Sequence, residues 1–383
     1  MNPVYLDYNA TTPIDPRVAE AMLPYIYKHF GNPSSGHLFG RNANDGVNAA
    51  RRQVSELLEC HSDELIFTSG GTESNNYAIK GALAANRSRG NHMITSAVEH
   101  PAIIEVCKFL ETQGYRVTYL PVDEYGMVDP GQVEEAITPQ TTLISIMHAN
   151  NEVGTIEPIE AIAEVAHRHG ALLHADCAQS VGKIPVLVDE LGVDLLSIAG
   201  HKLYAPKGIG ALYVRRGVAL EKQMHGAGHE GDWRAGTENV IHMAALGQAC
   251  ELIHHHLPDY QRHMAEMRDR LEAGLQGTFG NIRINGHPSK RLPNTSSVSF
   301  KRVEANTVLA GMVNLAASAG AACHSDRVEV SSVLEAMGVP LEYAMGTLRF
   351  SVGRYTTAEE IDRAVAEVAR VVIPHLQAAA SVG

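Results

Sequence analysis

The sequence LIFTSGGTESNN occupies residues 65–76 and joins three kinds of local structure in a short span. Leu65–Thr68 is an apolar run of strand length, residues 69–72 form a turn with two glycines, and a helical pattern resumes at Glu73. A strand that turns directly into a helix is the repeating unit of an α/β fold. The glycines and the helix N-terminus suit an anion, although an ordinary strand–helix turn uses the same residues. The chain has no GxxxxGK[ST] sequence, which excludes a Walker-type nucleotide loop.

The same alternation of strands and helices continues on both sides of this stretch. Short β-branched runs predict further strands, and amphipathic runs between them predict helices. The predicted strands cover 92–97, 117–121, 143–148 and 171–175, and the predicted helices cover 15–29, 44–60, 101–113 and 158–169. We therefore expect an α/β protein with a large, mostly parallel sheet domain at residues 16–247.

The pattern changes after Thr237. A long helix is predicted over 240–276, and it is followed by strands over 292–300 and 347–352 and helices over 304–315 and 358–373. Residues 1–15 and 248–383 are predicted to form a second, smaller α/β domain, with the long helix as the bridge between the two.

Composition excludes several classes of protein. The 383 residues are 45% hydrophobic and 19% charged, with 31 basic and 43 acidic side chains and a net charge of −12. An acidic chain lacks the basic surface that nucleic acids and anionic lipids require, so neither is an expected partner. The chain has no apolar run near the roughly 20 residues that span a bilayer, and its first residues do not resemble a secretory signal. Five widely spaced cysteines without a CxxC pair favour a reducing, cytoplasmic location.

Two charged residues, Asp176 and Lys202, adjoin apolar runs, where a charged side chain can take part in ligand binding or catalysis. Asp176 follows an apolar strand, at the sheet edge where α/β proteins bind ligands, and its carboxylate suits a buried cationic nitrogen; a helix cap is the alternative. Lys202 follows a Gly-His pair between two apolar runs, where desolvation lowers a lysine pKa and favours Schiff-base chemistry. A surface lysine is the alternative there.

A cysteine and two arginines are further candidates. Cys323 follows a run of small residues and precedes a polar stretch, which predicts an exposed thiol; a buried structural cysteine is the alternative. Arg349 lies in an alternating strand, and Arg354 at its end is the rival for binding a carboxylate. Surface ion pairing is the alternative for both arginines.

Two other patterns predict no site. Residues 226–231 match GxGxxG, but no apolar strand precedes them and no clear helix follows, so a dinucleotide loop is not expected. The run His254–His256 has no cysteine or carboxylate at ligand spacing, and no metal site is predicted.

Together these segments resemble the pyridoxal-phosphate enzymes of the cysteine desulfurase and selenocysteine lyase family. The resemblance implies fold type I of the pyridoxal-phosphate transferases and covers nearly the whole chain in order. It rests on residues 5–13, 30–35, 68–76, 99–100, 147–154, 176–179, 200–202, 234–237 and 292–295, and on Cys323 and Arg349.

The resemblance also implies a role for each matching residue. Lys202 resembles the lysine that holds the cofactor covalently, Asp176 the partner of its pyridine nitrogen, and His100 the ring-stacking histidine with an acid–base role. Arg349 and Asn151 are expected to bind the substrate carboxylate, and Thr237 to reach the phosphate of a second subunit in a homodimer. The remaining cofactor contacts are expected from Gln179 and Asn151 to the phenolic oxygen, and from Gly71, Thr72, Ala199, Gly200 and His201 to the phosphate.

The implied activity is conversion of L-cysteine to L-alanine, with transfer of sulfur to Cys323 as a persulfide. A sulfur-acceptor protein, such as an iron–sulfur scaffold, is then expected to take the sulfur. The alternatives are a selenocysteine lyase, an aminotransferase or lyase of the same fold, and a non-catalytic subunit that docks sulfur carriers.

Three departures bear on these alternatives. The sequence after Cys323 is His324-Ser325-Asp326, which resembles the selenocysteine lyase branch. Gly231 stands where members of the family usually have an arginine. The chain ends soon after its last helix, without the longer tail that housekeeping desulfurases use to meet their scaffold.

Overall fold

The computed structural model describes the backbone of residues 2–324 and 327–381 and the side chains of residues 2–320 and 330–377. The strands are β1 (Val4–Tyr5), β2 (Leu65–Thr68), β3 (His92–Ser96), β4 (Arg116–Leu120), β5 (Thr141–Met147), β6 (Leu172–Asp176), β7 (Leu195–Ala199), β8 (Gly210–Val214), β9 (Ile282–Asn285), β10 (Thr295–Phe300), β11 (Leu315–Ala316), β12 (Ser318–Ala319), β13 (Ala321–His324), β14 (Arg327–Val330) and β15 (Thr347–Ser351). The helices are α1 (Pro16–Tyr27), α2 (Leu38–Leu58), α3 (Gly71–Ala85), α4 (Pro101–Thr112), α5 (Pro130–Ala136), α6 (Ile159–Arg168), α7 (Val188–Leu191), α8 (Val240–Phe279), α9 (Ala305–Gly311), α10 (Ser332–Ala336), α11 (Leu341–Ala344) and α12 (Ala358–Ser381).

Seven strands form the large sheet, in the order β2-β8-β7-β6-β5-β3-β4. Only β8 runs against its neighbours; the other pairs are parallel. The central strands are buried on both faces because helices cover both sides of the sheet. Their carboxyl ends therefore meet at one edge, where α/β proteins bind ligands. The expected mostly parallel α/β sheet is confirmed.

A second sheet lies near the C-terminus, in the order β12-β15-β10-β9, with all pairs antiparallel. Its core includes Phe300, Phe350 and Ile361, whereas a separate core lies under the large sheet. The 40-residue helix α8 contributes Ile253 to one core and Leu271 to the other. The division into domains 16–247 and 1–15 with 248–383 stays a prediction. None of the described helices is long and apolar enough to cross a membrane.

Several predicted boundaries are wrong for local reasons. The second helix begins at Leu38 instead of Asn44, because the His37 ring accepts the N–H of Gly40 as an unusual N-cap. The strand predicted over 292–300 begins only at Thr295, since Pro293 has no N–H to contribute to a sheet. The helix predicted to run to Leu315 ends at Gly311, and β11 follows it.

Candidate active site

A cavity of about 240 Å³ opens at the carboxyl edge of the large sheet. It brings together residues that are far apart in the chain, from Asn9 to Arg349. Ten of the predicted site residues line it: Gly71, Thr72, His100, Asn151, Asp176, Gln179, Ala199, His201, Lys202 and Arg349.

Lys202 reaches this cavity through a tight turn after β7. Residues Gly200–Lys202 form one turn of 3-10 helix. A Cβ at Gly200 would lie 2.7 Å from Ile209 Cγ2 and 2.8 Å from the Ile209 carbonyl oxygen, so the turn has room only for glycine. Gly200 therefore shapes the turn but does not itself line the cavity. Burial and the charge of Arg349 lower the pKa of Lys202, while Asp176 opposes the shift.

Asp176 is the last residue of β6 and is buried. Its Oδ1 accepts the backbone N–H of Ala178 at 2.9 Å, and its Oδ2 accepts the side-chain amide of Asn75 at 2.7 Å. Two donors hold the carboxylate in one orientation toward the cavity, which suits a protonated ring nitrogen. Asn75 is not among the predicted site residues, although it stands one turn after Thr72 on α3.

His100 is the N-cap residue of α4, and Pro101 follows it at the first helical position. Its Nδ1 accepts the backbone N–H of Ala102 at 3.0 Å, so the neutral ring carries its proton at Nε2. Burial, with Lys202 as a second cause, lowers the pKa of His100. A neutral imidazole with a fixed tautomer is suited to stack on a ring and to exchange a proton.

The N-terminus of α3 forms another wall of the cavity. The first amides of a helix have no acceptor within the helix, and Gly71 and Thr72 place theirs at the cavity. Gly70 precedes them with a φ of 150°, a conformation that glycine adopts freely. A Cβ at Gly71 would lie 3.1 Å from Ala199 Cβ, so the space between helix and strand is narrow. This end of the cavity suits a phosphate.

Arg349 is a cationic group in the wall of the cavity. Its Nη2 forms an ion pair with Asp7 at 2.8 Å, and its Nη1 donates to the Asn151 carbonyl at 3.1 Å. The rival Arg354 is buried elsewhere, where it pairs with Asp15 and stacks on Tyr204 at 3.8 Å. Of the two arginines, Arg349 is therefore the one placed to bind a carboxylate in the cavity.

Gln179 and Asn9 complete the wall next to Lys202. The Gln179 side-chain amide donates to the Asn9 carbonyl at 3.0 Å, and Lys183 donates to Gln179 Oε1 at 2.5 Å. Neither Asn9 nor Lys183 is among the predicted site residues. Asn9 lies in the stretch at residues 5–13 that supports the family resemblance, whereas Lys183 has no motif that marks it.

Among the predicted site residues whose side chains the structure describes, only Gly200 and Thr237 do not line the cavity. Thr237 is exposed on the loop before α8 and does not line the cavity. Cys323 lies in β13, whose backbone pairs with β14, but its side chain lies outside the described residues, as do Ser325 and Asp326 altogether. Gly231, at the position of the expected arginine, has a φ of 62° within a 3-10 turn.

A pyridoxal phosphate fits this arrangement of groups. The cavity combines a lysine of lowered pKa, a buried carboxylate held by two donors, and a helix N-terminus. These groups match an aldehyde, a pyridine nitrogen and a phosphate, respectively.

Comparison with known proteins agrees with this geometry. The family model described as "Aminotransferase class-V" matches residues 4–364. The chain belongs to the class-V aminotransferase family. Class-V aminotransferases use pyridoxal phosphate, and the predicted fold type I is confirmed.

The relatives of this class-V chain are close over nearly its full length. A cysteine desulfurase IscS of Dictyoglomus turgidum is 46% identical, with 96% of this chain and 94% of the relative covered. Cysteine desulfurase 2 of Trichormus variabilis is 50% identical, with 95% and 91% covered. The solved structure of a NifS-like protein superposes with a TM-score of 0.91 at 35% identity, with 97% and 99% covered. The expected resemblance to the desulfurase family is confirmed.

Proposed function

We propose that this chain is a pyridoxal-phosphate-dependent cysteine desulfurase, which converts L-cysteine to L-alanine and transfers the sulfur to Cys323. The observation that carries the proposal is the meeting of Lys202, Asp176 and the α3 N-terminus in one cavity. The near-full-length identity of 46% and 50% to proteins named cysteine desulfurase supports the choice of substrate.

The chain's own residues would hold the cofactor at three points. Lys202 would bind it covalently, Asp176 would keep its ring nitrogen protonated, and the amides of Gly71 and Thr72 would bind its phosphate. The His100 ring, capped at Nδ1, would stack on its face. When bound, the cofactor supplies an electron sink that stabilises negative charge at the substrate Cα.

Residues that line the cavity can also bind the substrate and transfer protons. Arg349 binds the substrate carboxylate with its planar fork, while Asp7 holds the guanidinium in place. Lys202, once released from the cofactor, is a free amine whose lowered pKa leaves it able to remove the Cα proton. His100 has the neutral form and the fixed Nε2 proton that a second proton-transfer group needs.

Sulfur transfer is the step assigned to Cys323. Its thiolate attacks the substrate sulfur, the S–S bond of a persulfide forms, and the Cβ–S bond breaks with its electron pair going to carbon. Protonation at Cβ and return of a proton to Cα then yield alanine, and the persulfide passes to an acceptor protein, for which an iron–sulfur scaffold is a candidate. Thr237 is exposed and is proposed to reach the cofactor phosphate of a second subunit in a homodimer. We also propose a cytoplasmic location.

Alanine release from L-cysteine in the presence of a reductant tests this proposal. The comparison uses the wild type, Cys323→Ala and Cys60→Ala, because the half-buried Cys60 thiol has its pKa raised to about 12 by burial and is a matched unreactive control. Only Cys323→Ala should lose activity. Absence of alanine from cofactor-loaded wild type would contradict the proposal, and release from L-selenocysteine alone would replace it with the lyase activity.

A further inference from the structure

Lys183 is a buried lysine next to the cavity that the proposed reaction does not use. Only 5% of its surface is exposed, and it lies in the turn between β6 and α7. Its Nζ donates to Gln179 Oε1 at 2.5 Å and to Asn9 Oδ1 at 3.1 Å. Burial of a lysine costs free energy, so we expect Lys183 to have a function at this position.

The surroundings of Lys183 match a neutral amine. No carboxylate lies within ion-pair distance of it in the part of the chain that the structure describes. Burial lowers its pKa well below the usual value, and the nearby charges of Lys202 and Arg349 act in the same direction. A neutral amine has two N–H donors, and the two amide oxygens of Gln179 and Asn9 accept both of them.

This contact determines which way the Gln179 carboxamide faces. With Oε1 held by Lys183, Nε2 is free to donate, and one of its hydrogens goes to the Asn9 carbonyl at 3.0 Å. A flipped carboxamide would set N–H against the Lys183 donor and an oxygen against the Asn9 carbonyl. The second Nε2 hydrogen therefore remains available on the cavity side, where Gln179 forms part of the wall.

We propose that Lys183 is a positioning residue that keeps Gln179 Nε2 as a hydrogen-bond donor toward the phenolic oxygen of the cofactor. The inference rests on the proposed function, because it needs pyridoxal phosphate in the cavity. Donation by Lys183 to Oε1 also polarises the carboxamide, which strengthens its N–H as a donor.

The proposal has a spectroscopic consequence in the loaded enzyme. A hydrogen bond donated to the phenolic oxygen favours its deprotonated form. Lys183→Met has similar length but no donor, so the Gln179 carboxamide loses one of the two contacts that orient it and also loses the polarisation of its N–H. The pH midpoint of the cofactor's visible absorption should move upward by about one unit, the size expected from one hydrogen bond to a charged group. The affinity of the apoprotein for pyridoxal phosphate should weaken about tenfold.

A double variant separates this role from a merely structural one. Gln179→Leu removes the carboxamide itself and should shift the midpoint at least as far as Lys183→Met. If Lys183 acts through Gln179, the double variant has the midpoint of Gln179→Leu alone. Asp176, His100, His201, Lys202 and Arg349, the titratable and charged groups that line the cavity, are the same in all these variants. Lys108→Met, an exposed lysine on α4, is the control and should match the wild type.

The outcomes are distinguishable. A wild-type midpoint in Lys183→Met, or a double variant in which the two shifts add, overturns this inference and leaves the proposed function standing. A wild-type protein that forms no visible band with pyridoxal phosphate overturns both. Lys183→Gln keeps an amide donor and should shift the midpoint in the same direction by less, which provides the test if Lys183→Met does not fold.

Discussion

Asn75 donates a 2.7 Å hydrogen bond to Asp176, although 101 positions separate the two residues in the chain. Asn75 is buried in the first turns of α3, and Asp176 ends β6. The helix whose N-terminus lines the cavity thus also orients the carboxylate that is proposed to hold the cofactor's ring nitrogen. One element therefore fixes two of the three proposed contacts to the cofactor.

Replacement of Asn75 tests this dual role. In Asn75→Leu the Asp176 Oδ2 loses its amide donor inside the protein, and we expect cysteine turnover to fall about tenfold and the free energy of unfolding to fall by about 1–3 kcal/mol. Steady-state kinetics and chemical denaturation measure the two effects. The adjacent Asn76→Leu is the control, because Asn76 donates to the Thr72 carbonyl of its own helix. Equal behaviour of the two variants would refute the role of Asn75.

Lys202 and the exposed Lys207 form a second matched pair. We expect Lys202→Ala to lose the visible absorption of covalently held pyridoxal phosphate, since no other lysine takes its place at the cavity wall among the residues that the structure describes. Lys207→Ala should keep the band, because Lys207 lies on the surface five residues further on. Absorption spectra of the purified variants decide the matter. A band that persists in Lys202→Ala would show that the cofactor lysine has been assigned wrongly.

Replacement of Arg349 and of Arg354 should have different effects on the enzyme. Arg349→Gln removes the cation that faces the substrate carboxylate, and we expect KM for cysteine to rise about tenfold or more with little change in stability. Arg354→Gln breaks a buried ion pair with Asp15 and should lower the free energy of unfolding by about 3 kcal/mol. Kinetics and denaturation of both variants check this. If Arg354→Gln raised KM as much as Arg349→Gln, the assignment of the carboxylate site would be wrong.

The difference between the two arginines is an example of what cannot be predicted from local sequence patterns. Strand alternation alone does not decide between Arg349, which lies within β15, and Arg354, which follows it. The decision depends on Asp15, more than 330 residues away, which binds Arg354 and leaves Arg349 to the cavity. Contacts of this kind have no signal in local periodicity.

Site residues at strand ends are easier to predict than residues whose role depends on long-range contacts. Lys202 and Asp176 follow apolar strands, and the α/β pattern places the carboxyl ends of parallel strands at one edge. Their position at that edge follows from the strand pattern without knowledge of individual contacts. Asn75, Asn9 and Lys183 were missed because they act on other site residues through hydrogen bonds within the fold, and an isolated Asn or Lys has many other uses.

Glu99, beside His100, gives the molecule a measurable pH dependence of stability. Its Oε1 accepts from Ser96 Oγ at 2.7 Å and from the Met147 backbone N–H at 2.9 Å, and its Oε2 has no partner among the described residues. Burial raises the pKa of Glu99 from 4.5 to about 8, and the Asp176 charge adds to the shift. The folded protein therefore binds a proton here that the unfolded chain releases above pH 4.5. The stabilisation that this proton provides is complete below pH 4.5 and is lost as the pH rises through 8.

We therefore expect Glu99→Gln to flatten the pH dependence of unfolding. The wild-type free energy of unfolding should fall between pH 5 and 8. Glu99 contributes at most about 1.4 kcal/mol per pH unit to this slope, and the variant should lack that contribution. The glutamine keeps an oxygen for Ser96 and Met147, so packing is preserved. Denaturation series at several pH values measure the slope, with the exposed Glu105→Gln as the control that should follow the wild type. Parallel slopes for wild type and Glu99→Gln would mean that Glu99 stays ionised in the folded protein. The buried Glu157, whose pKa burial also raises to about 8, would then be the next group to replace.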